Sequence, residues 1–526
     1  MKDAGGPDRP LLERLAMLRS ETFTANDDLV DDFVDASRDE LASCFVRLVE
    51  RAWADGAVRP GAVPLTRRLV ELLPDLDDDR QGRVAILFGL LLEAGGGTDA
   101  TEVRHVVAEG FDSYLDQWTR STPGQPRYLA LLYLLAHFPD RRDPVLGAAT
   151  GLDPDDASRL DRALQRLDPA RPDVGRAFPY PEAWELDEDE RAFDRDWIGR
   201  LTPAEAQLHW TNDTETVLGH LGAKAYWAVL NGAPVPFVPA PASARAGGTP
   251  PAPADAPLFA PHLDALRCPH CHGQLTQRAT SLSCAGCGRS YPAPGGILDL
   301  TGTGTDVDRS DDFLFKLAEM PTMGYFYETY ARPNFLRLCG ANWDARVTPE
   351  IEDAHISEHV RPVEGPVLDL AAGAGRWTSV LAQAVGAERV IALDLGLPML
   401  AALRERLPAV PAVLTGADML PFGDATLGAV LCWNALQAFP AQAPAAIAEV
   451  GRCLRRGGTF TLLTFGNSDD PVYRYFVGRH HFPQHAAGLH LFDHADVRRW
   501  IAAAGMRIRD EWTPGSFIIM TAERVG

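Results

Sequence analysis

Four cysteines stand in two pairs, Cys268 with Cys271 and Cys284 with Cys287, and twelve residues separate the pairs. A two-residue gap lets each pair fold as a tight knuckle that aims both thiolates at one point, and the intervening hairpin brings the knuckles together into a tetrahedron. Four thiolates with no open position predict a structural zinc site. A redox dithiol would need only one pair beside a βαβ pattern, whereas an iron–sulfur centre is also held by four cysteines. His270 and His272 flank the first knuckle, where either could replace a cysteine. A module of about 35 residues buries too little apolar surface to fold alone, so the metal is expected to supply its folding energy.

A second constellation begins at Val367. The apolar run Val367-Leu368-Asp369-Leu370 leads into Ala371-Ala372-Gly373-Ala374-Gly375, a helical pattern follows from about Arg376, and a further strand over 390–393 ends in Asp394, 19 residues after Gly375. Each part has a task on a nucleoside: the glycines let backbone approach the ligand, and the terminal carboxylate accepts both ribose hydroxyls. A dinucleotide site would place a third small residue three positions after Gly375, where this chain has Thr378 behind Trp377. Asp369, inside the first strand, would repel a pyrophosphate and suits the cationic amino-acid end of a sulfonium. S-adenosylmethionine is therefore the expected cofactor.

These groups need scaffolds, and the chain of 526 residues is long enough for three or four domains. Apolar residues make up 46% and charged residues 23%, which disfavours collagen-like, wholly disordered and disulfide-scaffold classes. No apolar stretch approaches the length of a membrane span and the first residues lack a secretory h-region, so a cytoplasmic protein away from membranes is expected. Residues 1–233 read as an all-α domain of unknown role, with helical periodicity over 41–53, 84–92, 128–138 and 204–230. Asp153-Pro154-Asp155-Asp156 and Thr202-Pro203-Ala204-Glu205 each place a capping side chain, a first-turn proline and a carboxylate three after the cap. Residues 234–261, with nine prolines, read as a semi-extended linker. A zinc ribbon over 262–303 and an α/β Rossmann-like domain over 304–526 complete the expected architecture.

The net charge of −22 is concentrated in residues 1–240, which hold 43 acidic against 26 basic residues. Such a field repels a phosphate backbone, and the densest basic clusters, Arg452/Arg455/Arg456 and Arg498/Arg499, read as ordinary helix ends, so nucleic acid is disfavoured as a partner. The α-domain is open to a protein partner. Its histidines, His105, His137, His209 and His220, read as packed or surface residues, and the acidic run over 185–190 as a solvated loop or helix start.

From about residue 314 onward the chain resembles the class I S-adenosylmethionine-dependent methyltransferases, particularly their small-molecule branch. The resemblance rests on VLDLAAGAGRW, VIALDLGLPML, LTGADMLPFGDATLGAVLCWNALQAF and LRRGGTFTLLTF, in that order. It implies that Asp369 with the backbone of Ala371, Gly373 and Gly375 holds the methionine part, and that Asp394 binds the ribose with Leu395 beside the adenine. It further implies that Asp418 binds the adenine amino group while Met419 packs on the ring. Trp433 and Asn434 would line the place where donor and acceptor meet, with core packing as the other reading of Trp433. The ribbon and its ending YPAPGGILDL are similar to bacterial ribosomal-RNA guanine methyltransferases, although a long acidic α-domain precedes the ribbon here.

Methyl transfer from a sulfonium is an in-line displacement, so alignment and exclusion of water can supply much of the catalysis. A base is needed only where the acceptor carries a proton. Candidates are Tyr325 and Tyr327 on a helix ahead of the glycine turn, with Tyr330 beside them, and the connection over 467–491, which holds Tyr473, Tyr475, His480, His481, His485 and His490. The expected activity is methylation of a small molecule or peptide in specialised metabolism. The alternatives are an RNA methyltransferase guided by the ribbon and a non-methylating protein that keeps the cofactor fold.

Overall fold

The computed structural model describes residues 25–176, 188–235, 256–301, 316, 336, 342–481 and 489–526. They fall into two compact units that do not follow chain order. The first comprises Met1–Arg166, Val217–Pro236 and Asp470–Phe476; the second comprises Leu167–Thr216, Phe237–Asp469 and Val477–Gly526.

The first unit is mostly helical. Its helices are α1 (Ala25–Asp35), α2 (Leu41–Ala52), α3 (Ala62–Leu72), α4 (Asp78–Glu93), α5 (Thr98–Glu109), α6 (Phe111–Thr119), α7 (Pro126–Leu135), α8 (Arg142–Ala148) and α9 (Pro154–Leu164). Every residue from Gln81 to Leu91 of α4 and from Tyr128 to Leu135 of α7 is buried, the pattern of helices surrounded on all sides by other helices. A small hairpin, β1 (Trp53–Ala54) with β2 (Ala57–Val58), departs from the all-α expectation. Asp55 and Gly56 form its turn with φ of 45° and 80°, the Asp-Gly type I′ geometry whose twist matches a two-stranded ribbon. Asp470–Phe476, far along the chain, also packs in this unit. Tyr226 donates to Asp470 Oδ2 at 2.8 Å, Tyr475 donates to Glu93 Oε2 at 3.1 Å, and the Phe476 ring lies against Tyr133.

The predicted caps are present. Asp153 accepts from the Asp156 backbone N–H at 2.9 Å, and Thr202 and Glu205 exchange a reciprocal pair of hydrogen bonds at the start of the helix that begins at Pro203. Helices α10 (Glu188–Arg200) and α11 (Pro203–Asn231) follow, and α11 contributes its first half to the second unit and its second half to the first. In the described residues, no helix is long and apolar enough to cross a membrane.

The second unit is built on one eight-stranded sheet. Its strands are β6 (Ile297–Asp299), β7 (Val367–Leu370), β8 (Val390–Asp394), β9 (Ala412–Leu414), β10 (Leu427–Trp433), β11 (Leu454–Phe465), β12 (Met506–Trp512) and β13 (Phe517–Arg524). The order is β12-β13-β11-β10-β7-β8-β9-β6, with β13 antiparallel to both neighbours and the remaining pairs parallel. Strand order reverses between β7 and β10, which opens a crevice at their carboxyl ends, the place where open α/β sheets bind ligands. One face is covered by α12 (Pro349–His359), α13 (Arg376–Val385) and α14 (Leu397–Arg406). The other carries α15 (Ala443–Cys453), α17 (His494–Ala503) and the cysteine module; α16 (Pro471–Gly478) lies in the connection after β11, and its residues up to Phe476 belong to the first unit.

The cysteine module is a three-stranded antiparallel sheet, β3 (Leu275–Gln277), β4 (Ser281–Cys284) and β5 (Ser290–Pro292). Its chain runs directly into the large sheet. Strand β6 pairs in parallel with β9, Leu298 opposite Val413, and Leu266, Leu275, Leu282 and Tyr291 share one apolar core with Ile391, Leu420 and Phe422.

Candidate active site

All four residues of β7 are buried, and the chain leaves the sheet through a turn in which Ala371, Gly373 and Gly375 have φ of 59°, 54° and 86°. Glycine at 375 answers two demands. Its left-handed φ suits a residue without Cβ, and a Cβ there would lie 2.8 Å from Leu403 Cγ on α14. The Gly373 N–H donates to Asp394 Oδ2 at 2.9 Å, and the Gly396 N–H donates to Asp394 Oδ1 at 2.8 Å. Asp394 thus ties the turn to the end of β8. Each carboxylate oxygen keeps a second lone pair, so the acid retains acceptors for two hydroxyls.

Asp369 lies beneath the same turn, 2% exposed, and accepts from Thr378 Oγ1 at 2.6 Å. Burial pushes its carboxyl up to about 7, partly opposed by the Thr378 bond and reinforced by the negative charge of Asp394. Burial also raises the Asp394 carboxyl, while the N–H groups of Gly396, Gly373 and Leu395 pull it down. Burial raises both carboxyls, a shift that a cationic ligand would reverse and a polyanionic one would reinforce.

Leu395 and Met419 are large apolar side chains left 55% and 53% exposed, and Asp418 beside Met419 is exposed as well. The Thr415 N–H donates to the Asp394 carbonyl at 3.0 Å, which fixes the start of the 415–420 loop against the end of β8.

On the other side of the crevice, β10 ends in Trp433 and Asn434. Trp433 is 2% exposed, packs in the core with Trp377 and Leu463, and donates through Nε1 to Glu352 Oε1 at 2.9 Å. Its indole is therefore held inside the core and does not form an open wall. Asn434 has φ of 58°, and its carbonyl and Oδ1 both accept from Gln437 Nε2, at 2.8 and 3.0 Å. Left-handed non-glycine residues are uncommon, and Ala371 and Asn434 both occur at the carboxyl ends of neighbouring parallel strands.

Tyr325, Tyr327 and His485 lie outside the described residues. Tyr473 and Tyr475 belong to the helical unit, where Tyr473 packs on Tyr226. His480 and His481, candidates for a general base, are 0% and 4% exposed, and Glu215 Oε2 lies 2.6 Å from His481 Nε2. Sequence reasoning passed over Glu352, which orients Trp433 across 81 positions of chain, because no local pattern marks so distant a pair.

In the cysteine module the four Sγ atoms lie within 4.8 Å of one another. Cys268 to Cys287 is 3.8 Å and Cys271 to Cys284 is 3.3 Å, against about 3.8 Å for two thiolates bonded at about 2.3 Å to tetrahedral zinc. The Gly286 N–H donates to Cys284 Sγ at 3.3 Å, Tyr291 Oη lies 3.1 Å from Cys268 Sγ, and a Cβ on Gly273 would fall 3.0 Å from Cys284 Sγ. The module also braces the 415–420 loop from beyond its far end: Arg267 N–H donates to the Pro421 carbonyl and Gly423 N–H to the Ala265 carbonyl, each at 2.8 Å.

Residues 367–458 match a family model described as a methyltransferase domain. An uncharacterized chloroplastic methyltransferase of Arabidopsis thaliana is 29% identical over 224 residues, which cover 38% of this chain and 61% of that one. A trans-aconitate 2-methyltransferase of Acidovorax is 30% identical over 144 residues, 25% of this chain and 54% of that one. A malonyl-[acyl-carrier protein] O-methyltransferase of Methylococcus capsulatus is 32% identical over 113 residues, 21% and 41% of the two chains. The chain thus spans between 41% and 61% of the length of these relatives.

Proposed function

We propose that the protein is an S-adenosylmethionine-dependent methyltransferase acting on a small molecule or peptide, with a structural zinc ion in its cysteine module. The observation that carries this reading is the glycine turn tied to Asp394 above a buried Asp369, with Leu395 and Met419 exposed beside it. In this reading Asp394 would accept from the ribose hydroxyls while holding Gly373, Leu395 would stand beside the adenine and Met419 would pack on its ring. Asp418 takes the adenine amino group. Asp369 and the turn backbone at Ala371, Gly373 and Gly375 hold the methionine end, where the ligand's positive charge offsets the cost of ionising Asp369. When bound, the cofactor supplies an electrophilic methyl group.

The chain's own part is then positioning. Trp433, fixed by Glu352, sets the end of β10, and the Asn434–Gln437 bonds hold the left-handed exit of that strand next to the turn. His480 and His481 act as anchors of the segment after α16. Two of the relatives are named for acceptors that bear carboxyl groups, trans-aconitate and malonyl-[acyl-carrier protein]. A carboxylate acceptor needs no base, which agrees with the burial of these two histidines. The Arg clusters offer little to a phosphate backbone, since Arg452 pairs with Glu449 and Asp424, Arg498 with Glu511 and Arg499 with Asp496.

The test is to incubate the purified chain with S-adenosylmethionine and a panel of small carboxylic acids and to follow S-adenosylhomocysteine by mass spectrometry. Acceptor-dependent formation of that product is expected. Binding of the cofactor without turnover on carboxylic, phenolic or peptide acceptors would overturn the enzymatic reading.

A further inference from the structure

Outside the crevice, helix α12 carries His355 and His359 one turn apart, so both imidazoles project from the same side of the helix. Their rings stack with centroids 4.0 Å apart and an interplanar angle of 14°. Asp510 on the edge strand β12 faces them, with Oδ2 3.9 Å from His359 Nδ1. One donor atom from each of the three residues lies within 4.8 Å of the others. His355 Nε2 is buried without a hydrogen-bond partner among the described residues, a cost that a bound ion would remove.

We infer that His355, His359 and Asp510 form a second metal site, for a divalent transition ion of the zinc or cobalt class. The donor set decides the class: two imidazoles with one carboxylate favour such ions, whereas calcium and magnesium take oxygen ligands. A single ion with bonds of about 2.1 Å holds its donors roughly 3–3.5 Å apart, so closure from the observed spacing needs the two stacked rings to turn until their in-plane nitrogen lone pairs converge. The groups are free enough to move, since His359 is 25% and Asp510 41% exposed at the side chain. The remaining coordination positions go to water.

The ion clamps the C-terminal turn of α12 to β12. The same helix presents Glu352 to Trp433 Nε1, and the His355 ring lies 5.6 Å from the Trp433 ring. Occupancy therefore stiffens the support of β10's end, close to the proposed crevice but built from residues that have no part in it.

The test uses the full chain loaded with a single equivalent of zinc for its cysteine module, freed of excess zinc by desalting, then titrated with Co²⁺. One further equivalent is expected, with weak visible bands of nitrogen and oxygen ligation and no thiolate charge-transfer band. His355→Ala and Asp510→Ala should each weaken this second equivalent at least tenfold, and their circular dichroism and metal-free melting temperature should match the parent chain. The added ion should raise the melting temperature of the parent chain and leave that of His359→Ala unchanged. Equal Co²⁺ stoichiometry and affinity in the parent and variant chains would overturn the site, as would no uptake beyond the cysteine module. Neither outcome bears on cofactor binding.

Discussion

Gly373 and Asp394 stand 21 positions apart, and a single 2.9 Å hydrogen bond from the Gly373 N–H to Asp394 Oδ2 joins the tip of the glycine turn to the end of the next strand. The acid that would hold the ribose is thus also the acid that shapes the loop around the methionine end. Several consequences can be measured.

Gly375→Ala should cost about 2–4 kcal/mol of stability, since it adds left-handed strain and a Cβ 2.8 Å from Leu403 Cγ. Gly373→Ala meets only Met399 Cε at 3.5 Å and should cost about 1–2 kcal/mol, from conformation alone. Urea denaturation of the two variants would separate these costs.

Asp369 sets a pH dependence. Its folded carboxyl titrates near 7, above the ordinary aspartate value, so the native chain holds a proton that the unfolded chain has lost. Its contribution to stability is therefore fully present at low pH and is lost as pH rises from about 4 to about 7. Asp369→Asn should flatten that slope, read by denaturant unfolding at pH 5 and pH 7.5. A bound cation favours the ionised form, so cofactor affinity should rise over the same interval in the parent chain and not in the variant.

Trp433→Phe keeps an aromatic ring, smaller than the indole, and removes the 2.9 Å bond to Glu352 inside the core. A loss of about 1–3 kcal/mol is expected. Glu352→Gln, which keeps an acceptor, should cost less than half as much; thermal melts of both variants check this.

Stripping metal from the cysteine module should reach the proposed adenine loop, because Arg267 and Ala265 bond directly to Pro421 and Gly423. Cys284→Ser should lower zinc content by one equivalent and weaken cofactor binding several-fold, as measured by metal analysis and calorimetry. Unchanged cofactor affinity in a zinc-free chain would mean that the loop stands without the module.

Local chemistry is legible in the sequence. The two capping motifs, the cysteine spacing and the strand–turn–strand around Gly373 and Gly375 each occupy a few consecutive residues, and each has the expected local geometry. Long-range partnerships are not. Nothing in the run Ile297-Leu298-Asp299 announces that it extends a sheet whose nearest strand starts at Ala412, and nothing near Asp470–Phe476 announces that it joins the helical unit. Period and propensity describe one segment at a time, whereas these pairings depend on which apolar faces remain uncovered once the neighbouring elements have packed. His355 and His359 carried a local signal, an i, i+4 pair on a helix, but their third partner lies on a strand about 150 residues later.

Calorimetric titration of S-adenosylmethionine into the parent chain and into Asp394→Ala tests the central claim most directly. One site per chain is expected, with affinity at least tenfold weaker in the variant, a difference of about 1.4 kcal/mol or more. Equal affinity in the two chains, or preference for a pyrophosphate-containing dinucleotide over the sulfonium, would contradict it.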